Sequence, residues 1–161
     1  MKLLWKNVLF TLIVPGAAGV YLPLSLVSDR AVTSQWLLLA SGLVLLGLGV
    51  SIYAWCVWDF AAYGLGTPLP LDAPKNLVAR GLYRVTRNPM YLGVLGVILG
   101  WAVLYGEGVL LAYLAVVGLC FHLFVVSYEE PQLRKLFGAD YAAYCSKVPR
   151  WLPRLPSAVD R

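Results

Sequence analysis

The sequence predicts an all-α membrane protein with four transmembrane helices, a cytosolic loop and a C-terminal amphipathic helix. Of its 161 residues, 60% are hydrophobic and only 13% are charged, whereas about 25% of the residues of a soluble domain are charged. Four long runs contain no Asp, Glu, Lys or Arg, and each can supply the roughly 17–25 apolar residues of a spanning helix. The Lys and Arg residues outside these runs are divided unequally between the two sides of the membrane.

The four predicted spans cover about residues 7–27, 35–58, 89–105 and 109–127. The first run is longer than the apolar region of a typical signal peptide, and no small-x-small cleavage site follows it, so it is predicted to be a span. Pro15 and Gly16 are expected to kink or interrupt this span. In the second span, three glycines are expected to allow close contact with another helix. They are Gly42, Gly47 and Gly49.

The connections between the later spans differ in length and character. The polar segment 59–88 contains several Pro and Gly residues, which exclude a continuous helix there. Spans three and four are expected to form a tight helical hairpin through Gly106–Gly108. On span three, Gly96 and Gly100 form a small-xxx-small pair that favours close packing against a neighbouring helix.

An amphipathic helix is predicted on the cytosolic side after span four. Leu133, Leu136 and Phe137 share one helical face, which is the pattern of a helix lying against a surface. Gly138 is expected to break this helix, and Pro149 to end it. The three cysteines have no CxxC spacing, so we expect them to be small apolar fillers rather than disulfide or metal-site residues.

The distribution of basic residues predicts the orientation of the chain. If the spans alternate in direction, 12 of the 13 Lys and Arg residues fall on one side and only Arg30 falls on the other. The positive-inside bias then places both termini and the central loop in the cytoplasm, in a multi-pass membrane protein. Basic residues placed in this way are explained by the membrane, so the net charge of +5 does not indicate nucleic acid. No obligate protein partner is inferred.

Two polar clusters flank the predicted hairpin of spans three and four. Arg87, Asn88 and Tyr91 stand where span three begins, and Glu129 and Glu130 stand directly after span four. Both ends of a helical hairpin emerge on the same side, so we expect these residues to be neighbours. An ion pair that only anchors the helices is one interpretation. A functional site is the other, because ionisable groups near membrane depth are costly.

Two segments carry a resemblance to a known family. "KNLVARGLYRVTRNPMYLG" and, one hairpin later, "EEPQLRKLFGADYAAYCSKVPR" resemble the signature of the integral-membrane methyltransferases. This superfamily includes isoprenylcysteine carboxyl methyltransferase and the phospholipid N-methyltransferases. The resemblance covers about residues 60–153, the predicted catalytic core of a single domain 1–161. It implies S-adenosyl-L-methionine as cofactor, in a pocket formed by the cytosolic loop and the C-terminal helix.

The resemblance also implies which residues bind the cofactor. They are Lys75, Leu77, Val78, Gly81, Tyr83, Asn88, Pro89, Met90, Tyr91 and Glu129. Lys75 and Asn88 stand where histidines are common in the family. Val125 stands where the eukaryotic prenylcysteine enzymes have an arginine that meets the substrate carboxylate, which argues against a prenylcysteine acceptor.

Three residues are predicted to have catalytic roles. Arg87 matches the arginine of the family motif and suits the carboxylate of the cofactor. His122 lies seven residues before Glu129 on the same helical face, so it is either a base for an amine or thiol acceptor or a hydrogen-bond partner of a neighbouring span. Glu130 is expected to pair with Arg84 or Arg87 and hold the loop shut.

The predicted function is S-adenosylmethionine-dependent methyl transfer to a lipid or lipophilic small-molecule acceptor at the cytosolic membrane face. Carboxylate, amine and thiol acceptors all remain open. The alternative is a non-enzymatic membrane scaffold or a small transporter. A transporter should place ionisable groups near mid-bilayer and often has repeated halves, and apart from His122 the sequence has neither feature.

Overall fold

A computed structural model describes residues 13–64 and 76–153, and all regular structure within these two ranges is helical. We number five helices. They are α1 (Ile13–Leu26), α2 (Trp36–Asp59), α3 (Pro89–Tyr105), α4 (Gly108–Phe124) and α5 (Glu130–Lys147). Short π-helical turns occur at Ala17–Tyr21, Phe60–Gly64 and Val125–Glu129, and a 3₁₀ helix at Gly81–Arg84.

Two helical stretches are long and apolar enough to cross a membrane. They are α2 and the continuous stretch Gly108–Lys147, which contains α4, a π turn and α5. Ile13–Leu26 and Pro89–Tyr105 are apolar but shorter. Large apolar side chains are exposed along α2 and α4, among them Leu43, Leu48 and Leu119. Such surfaces suit a hydrocarbon environment, where exposed apolar groups carry no penalty.

The described part of α1 contains the predicted interruption. Pro15 and Gly16 lead directly into the π-helical turn Ala17–Tyr21, after which α-helical geometry resumes at Leu22. Proline removes a backbone donor and disturbs the preceding turn, and π turns are one way in which a helix accommodates this. The start of the predicted first span, residues 7–12, lies outside the described residues.

Glycines bring α2 and α3 into close contact. A Cβ atom on Gly49 would lie 2.7 Å from the carbonyl oxygen of Gly93, and one on Gly100 would lie 2.9 Å from the backbone nitrogen of Leu46. Neither helix could approach so closely with larger residues there. The prediction that Gly47 allows close helix contact is wrong, because nothing lies within 4 Å of the position that its Cβ atom would occupy.

The α3–α4 hairpin turns at the end opposite to the polar clusters. Gly106 has φ 66°, the left-handed conformation that favours glycine, and ends α3. Beside the turn, Nη1 of Arg30 lies 3.7 Å from Oε1 of Glu107. The one basic residue predicted to lie on the other side of the membrane is therefore at this far end.

The chain after α4 bends back over the open end of the hairpin. Gly138 has φ 48° and ψ −116°, and this non-helical conformation kinks α5. Residues with a Cβ atom adopt it with difficulty, so the position favours glycine. The helix ends at Lys147, and Val148 is extended. The predicted break and end of the amphipathic helix are thus confirmed. We call residues 148–151, which follow the helix, the strap.

Candidate functional site

The two polar clusters meet at the open end of the α3–α4 hairpin. Arg87 stands just before α3, and Glu130 begins α5. Nη1 of Arg87 donates a hydrogen bond to Oε1 of Glu130 across 2.9 Å, although the two residues are 43 positions apart. The predicted proximity is confirmed, because the hairpin returns the chain to the side from which it started.

Glu130 is the centre of a buried ionic cluster, and its side chain is only 7% exposed. Oε1 accepts a hydrogen bond from Nε of Arg150 at 2.7 Å, and Oε2 accepts one from Nη2 of Arg150 at 3.0 Å. Burial acts to raise the pKa of Glu130, but the hydrogen bond from Arg150 and the charges of Arg87 and Arg150 outweigh it. The pKa therefore lies below its usual value. Two cations on one buried carboxylate fasten α5 and the strap to the start of α3.

The partners of Glu130 were predicted only in part. Arg87 is a partner, as expected, whereas Arg84 is exposed and forms no ion pair among the described residues. Sequence reasoning missed Arg150, because the residue lies beyond the amphipathic helix. The signal that could have found it is its place in "SKVPR", at the end of the segment that carries the family resemblance.

Arg87 also contacts Cys145 and the strap. Its Nη1 donates a hydrogen bond to Sγ of Cys145 at 3.0 Å, and its backbone N–H donates one to the carbonyl oxygen of Pro149 at 2.9 Å. Nε of Arg87 is buried and has no hydrogen-bond partner within the described ranges. The prediction that all three cysteines are apolar fillers is therefore wrong for Cys145, which accepts a hydrogen bond from a cation.

The residues next to Arg87 hold the strap in place. The hydroxyl of Thr86 lies 3.1 Å from the carbonyl oxygens of both Arg150 and Trp151. Nδ2 of Asn88 donates to the carbonyl oxygen of Arg150 at 3.0 Å, and Asn88 is buried. The side-chain amide nitrogen of Asn88 is thus bonded to the strap.

Glu129 occupies a different environment from Glu130. The hydroxyl of Tyr91 donates a hydrogen bond to its Oε2 at 2.8 Å, but no Lys or Arg in residues 13–64 and 76–153 lies within ion-pair distance of it. Glu129 lies beyond the predicted span 109–127. Burial raises the pKa of its carboxyl group, whereas the hydrogen bond from Tyr91 lowers it. The negative charge of Glu130 raises it further. Glu129 is therefore a half-buried carboxylate that has no cationic partner among the described residues.

Aromatic rings surround the Tyr91–Glu129 pair. The Tyr91 ring lies 4.7 Å from that of Phe121 and 6.4 Å from that of Trp151, measured between centroids. Tyr91 sits in the first turn of α3 because Pro89 provides a preformed start to that helix. The arrangement combines one carboxylate with flat apolar surfaces, which suits a ligand that has both a cationic group and a planar ring.

The 3₁₀ helix Gly81–Arg84 forms another wall of the site. The carbonyl oxygen of Tyr83 accepts a hydrogen bond from the hydroxyl of Tyr144 at 2.7 Å. Tyr83 is buried and packs with Cys56, Val78 and Met90. Burial raises the pKa of the Tyr83 hydroxyl, and the neighbouring Cys56 and the carboxylate of Glu129 raise it further. Tyr83 is therefore neutral and lies within electrostatic range of Glu129.

The remaining predicted cofactor residues are distributed along the same loop. Leu77 is half-buried just before Val78, and Gly81 has φ 55°, a backbone conformation that favours glycine. The structure therefore brings Val78, Tyr83 and Met90 together in one cluster beside the start of α3. Lys75 lies outside the described residues.

His122 is engaged by the strap. Nε1 of Trp151 donates a hydrogen bond to Nδ1 of His122 at 3.0 Å. Nδ1 of His122 is therefore already occupied by a partner within the protein. His122 does form a structural hydrogen bond, as one of the two interpretations expected, but its partner is the strap and not a neighbouring span.

Comparisons with known proteins identify the family of the chain. A family model described as phospholipid methyltransferase matches residues 37–140, well over half of the chain. The chain is 34% identical over 78 residues to Protein-S-isoprenylcysteine O-methyltransferase B of Arabidopsis thaliana. That match covers 48% of this chain and only 40% of the relative. No solved structure matches the chain. The family match includes the start of α3, the end of α4 and most of α5 up to the kink, and the chain belongs to the phospholipid methyltransferase family of membrane proteins.

Proposed function

We propose that this protein transfers a methyl group from S-adenosyl-L-methionine to a hydrophobic or lipid-anchored acceptor at the cytosolic face of a membrane. The observation that carries the proposal is the state of Glu129. Within the described residues its half-buried carboxylate has no cationic partner and accepts a hydrogen bond only from Tyr91. A partly buried carboxylate without a cationic partner is unfavourable, so a cationic ligand at this position would stabilise the protein.

The chemistry of the donor set fits the cofactor. Glu129 would bind its ammonium group or ribose hydroxyls, and the rings of Tyr91 and Phe121 offer flat surfaces for its base. The proposed binding residues are Leu77, Val78, Gly81, Tyr83, Asn88, Pro89, Met90, Tyr91 and Glu129, together with Lys75, which lies outside the described residues. Asn88 would contribute through its carbonyl oxygen or through the backbone that it positions, because its Nδ2 is bonded to the strap.

When bound, the cofactor would supply a methyl group on a positively charged sulfur. The protein's task in such a linear displacement is to align the two reactants and to exclude water. We assign Arg87 and Glu130 to this task as positioning residues. Their 2.9 Å hydrogen bond and the two bonds from Arg150 hold α5 and the strap over the site.

The proposed membrane arrangement has four spans in one domain that covers residues 1–161. The apolar helices α1, α2, α3 and α4 supply the spans, and both termini lie in the cytoplasm with the polar clusters. The ion pair of Arg30 with Glu107 at the far end of the hairpin supports this orientation, because it separates the lone outer arginine from the other basic residues.

The proposal can be tested with the full chain in lipid nanodiscs. Incubation with methyl-labelled cofactor and a membrane lipid extract is expected to transfer label to material that partitions into organic solvent. At subsaturating cofactor, Glu129→Gln should reduce the transfer about tenfold or more, whereas Glu107→Gln, the same change at the far end, should not. No transfer above background by the wild type, together with no cofactor binding, would contradict the proposal and favour a non-enzymatic scaffold or a transporter.

A further inference from the structure

The ring of Trp151, the last residue of the strap, lies between α3 and α4. Its centroid is 6.4 Å from that of Tyr91 on α3 and 6.1 Å from that of His122 on α4. Nε1 of Trp151 donates a hydrogen bond to Nδ1 of His122 at 3.0 Å. One edge of the indole is therefore attached to α4, while the ring packs against Tyr91 at a steep angle.

The backbone that carries Trp151 is fixed as firmly as its ring. The carbonyl oxygens of three consecutive strap residues, 149–151, accept hydrogen bonds from the three consecutive residues 86–88. Thr86 and Asn88, which supply the side-chain donors, are 3% and 5% exposed. Water can satisfy carbonyl groups at a protein surface, so these protein donors do more than satisfy the backbone. They set the position from which the Trp151 side chain projects.

Tyr91 is the residue on which Trp151 can act. The hydroxyl of Tyr91 donates the 2.8 Å hydrogen bond to Glu129. Its ring lies against two others, with centroids at 4.7 Å for Phe121 and 6.4 Å for Trp151. The direction in which a phenol hydroxyl points follows from the rotamer of its ring, and packed neighbours restrict the rotamers that the ring can adopt. Phe121 and Trp151 therefore help to aim the Tyr91 hydroxyl at Glu129.

The strap is fastened by several contacts other than the Trp151 side chain. Arg150 joins it to Glu130 through two hydrogen bonds, and residues 86–88 hold its backbone. Leu152, the next residue, is 82% exposed, so Trp151 is the point at which the chain leaves the packed end of the hairpin. What the Trp151 side chain adds is a bond to α4 and a contact with Tyr91.

We propose that Trp151 is a positioning residue for methyl transfer, which holds the Tyr91 hydroxyl on Glu129 and is itself held by His122. The inference rests on the proposed function, in which Glu129 binds the cofactor. Trp151 acts without touching a ligand, because its effect passes through the Tyr91–Glu129 hydrogen bond. His122 thereby contributes to the reaction as the acceptor for the indole N–H, with no proton transfer assigned to it.

The first test measures cofactor affinity by calorimetry on the full chain in detergent. Trp151→Ala is expected to weaken binding of S-adenosyl-L-methionine about fivefold, because releasing Tyr91 costs no more than one hydrogen bond. Leu152→Ala is the control, since it truncates the neighbouring exposed residue and should bind like the wild type. An unchanged affinity of Trp151→Ala would overturn the inference.

A double-mutant cycle separates positioning from a general loss of packing. If Trp151 acts through the Tyr91 hydroxyl, Trp151→Ala has nothing further to remove once Tyr91→Phe has deleted that hydroxyl. The double variant should then bind the cofactor as Tyr91→Phe does. Independent effects would instead multiply to about 25-fold. That result would overturn the inference, because Trp151 would then support the fold or contact the cofactor directly.

The pH dependence of cofactor binding is a readout that a loss of stability alone does not move. The hydrogen bond from Tyr91 lowers the pKa of Glu129, and Glu130 on α5 and Tyr83 on the 3₁₀ helix are the other titratable groups that interact with it among the described residues. Without the Tyr91 bond this pKa rises. The fall in affinity on acidification should therefore begin at a higher pH in Trp151→Ala than in the wild type. Identical pH profiles would overturn the inference.

Conservative variants test the bond between His122 and Trp151 from both sides, and they serve if Trp151→Ala does not fold. His122→Gln still offers an acceptor to Trp151 and should keep the wild-type affinity, whereas His122→Leu offers none and should weaken binding about as much as Trp151→Ala. Trp151→Phe keeps a ring without the N–H and should also weaken binding. Its matched control is Trp101→Phe, which removes a bond of the same 3.0 Å length to Gly19 and should not.

Equal affinities of His122→Gln and His122→Leu, or of Trp151→Phe and Trp101→Phe, would overturn the inference. Failure of the proposed function is distinct from these results. It would appear as a wild type that does not bind the cofactor, whereas failure of the inference alone would appear as a wild type that binds it and variants that do not follow the expected pattern.

Discussion

The hydroxyl of Tyr91 donates a hydrogen bond to Glu129 across 2.8 Å, and this bond joins the first turn of α3 to the end of α4. One residue further on, Glu130 is satisfied by Arg87 and Arg150. Two adjacent glutamates thus have opposite environments. Glu130 is paired with two arginines and fastens the strap, whereas Glu129 has no cationic partner among the described residues. We interpret the first as structural and the second as the cofactor ligand.

Tyr91→Phe is expected to weaken cofactor binding severalfold. The substitution keeps the ring that packs against Phe121 but removes the hydroxyl that orients Glu129, a bond worth about 1 kcal/mol. Calorimetric titration of the cofactor measures the change. Tyr113→Phe is the matched control, because the Tyr113 hydroxyl donates a bond of the same length to the carbonyl oxygen of Ala18. Equal affinities in both variants would show that the Tyr91 hydroxyl does not serve the ligand.

Cofactor affinity is expected to fall as the pH is lowered into the acid range. Burial raises the pKa of Glu129 above its ordinary value of 4.5, and only the ionised form attracts a cation. Affinity should therefore be constant at pH values above the raised pKa and decrease as the pH falls through it. Glu129→Gln should lose this pH dependence. A wild-type affinity that stays constant down to pH 4.5 would contradict the assignment.

Glu130→Gln is expected to destabilise the fold by about 3 kcal/mol, because it leaves Arg87 and Arg150 without their shared carboxylate. Thermal unfolding in detergent measures this. Glu107→Gln breaks the exposed pair with Arg30 and should cost less than about 1 kcal/mol. If the two variants unfold at the same temperature, the buried cluster does not stabilise the strap.

Stability itself should depend on pH through Glu130. The folded pKa of Glu130 is below the ordinary value of 4.5, so the folded state binds fewer protons than the unfolded state between these two values. The stabilisation is therefore fully present above about pH 4.5 and is lost as the pH falls through the lower, folded pKa. Unfolding of wild type and Glu130→Gln over a pH series should give curves that converge in acid. Parallel curves would contradict this account.

His122→Gln is expected to retain methyl transfer within severalfold of the wild type. Glutamine can still accept the hydrogen bond from Trp151, which is the role that the structure gives to His122. A general base contributes about 10²–10⁴-fold to the rate. A loss of a hundredfold or more at saturating cofactor, without loss of cofactor affinity, would restore the catalytic role predicted from the sequence.

Much of this architecture follows from the sequence, because the uncharged runs determine where along the chain the apolar helices lie. Once 89–105 and 109–127 are taken as a hairpin, Arg87 and Glu130 must emerge on one side. The close packing of α2 on α3 also follows from their glycines. Gly47 shows the limit of this reasoning, since only the rotation of the helix decides which glycine faces a neighbour.

The division of roles between Glu129 and Glu130 could not be predicted. The π turn Val125–Glu129 includes the first of these residues and directly precedes the second. Because it changes the rotation of the helix, the directions of both side chains depend on it. The strap was not predicted either, because its position depends on the backbone conformation of Gly138.

The most direct test of the central claim is calorimetric titration of S-adenosyl-L-methionine into wild type, Glu129→Gln and Glu107→Gln in detergent. If Glu129 is the ligand of the cationic cofactor, Glu129→Gln should weaken binding about tenfold or more while its melting temperature is kept or raised. Glu107→Gln should bind like the wild type. Equal affinity in all three proteins would contradict the claim that the cofactor binds between α3 and the end of α4.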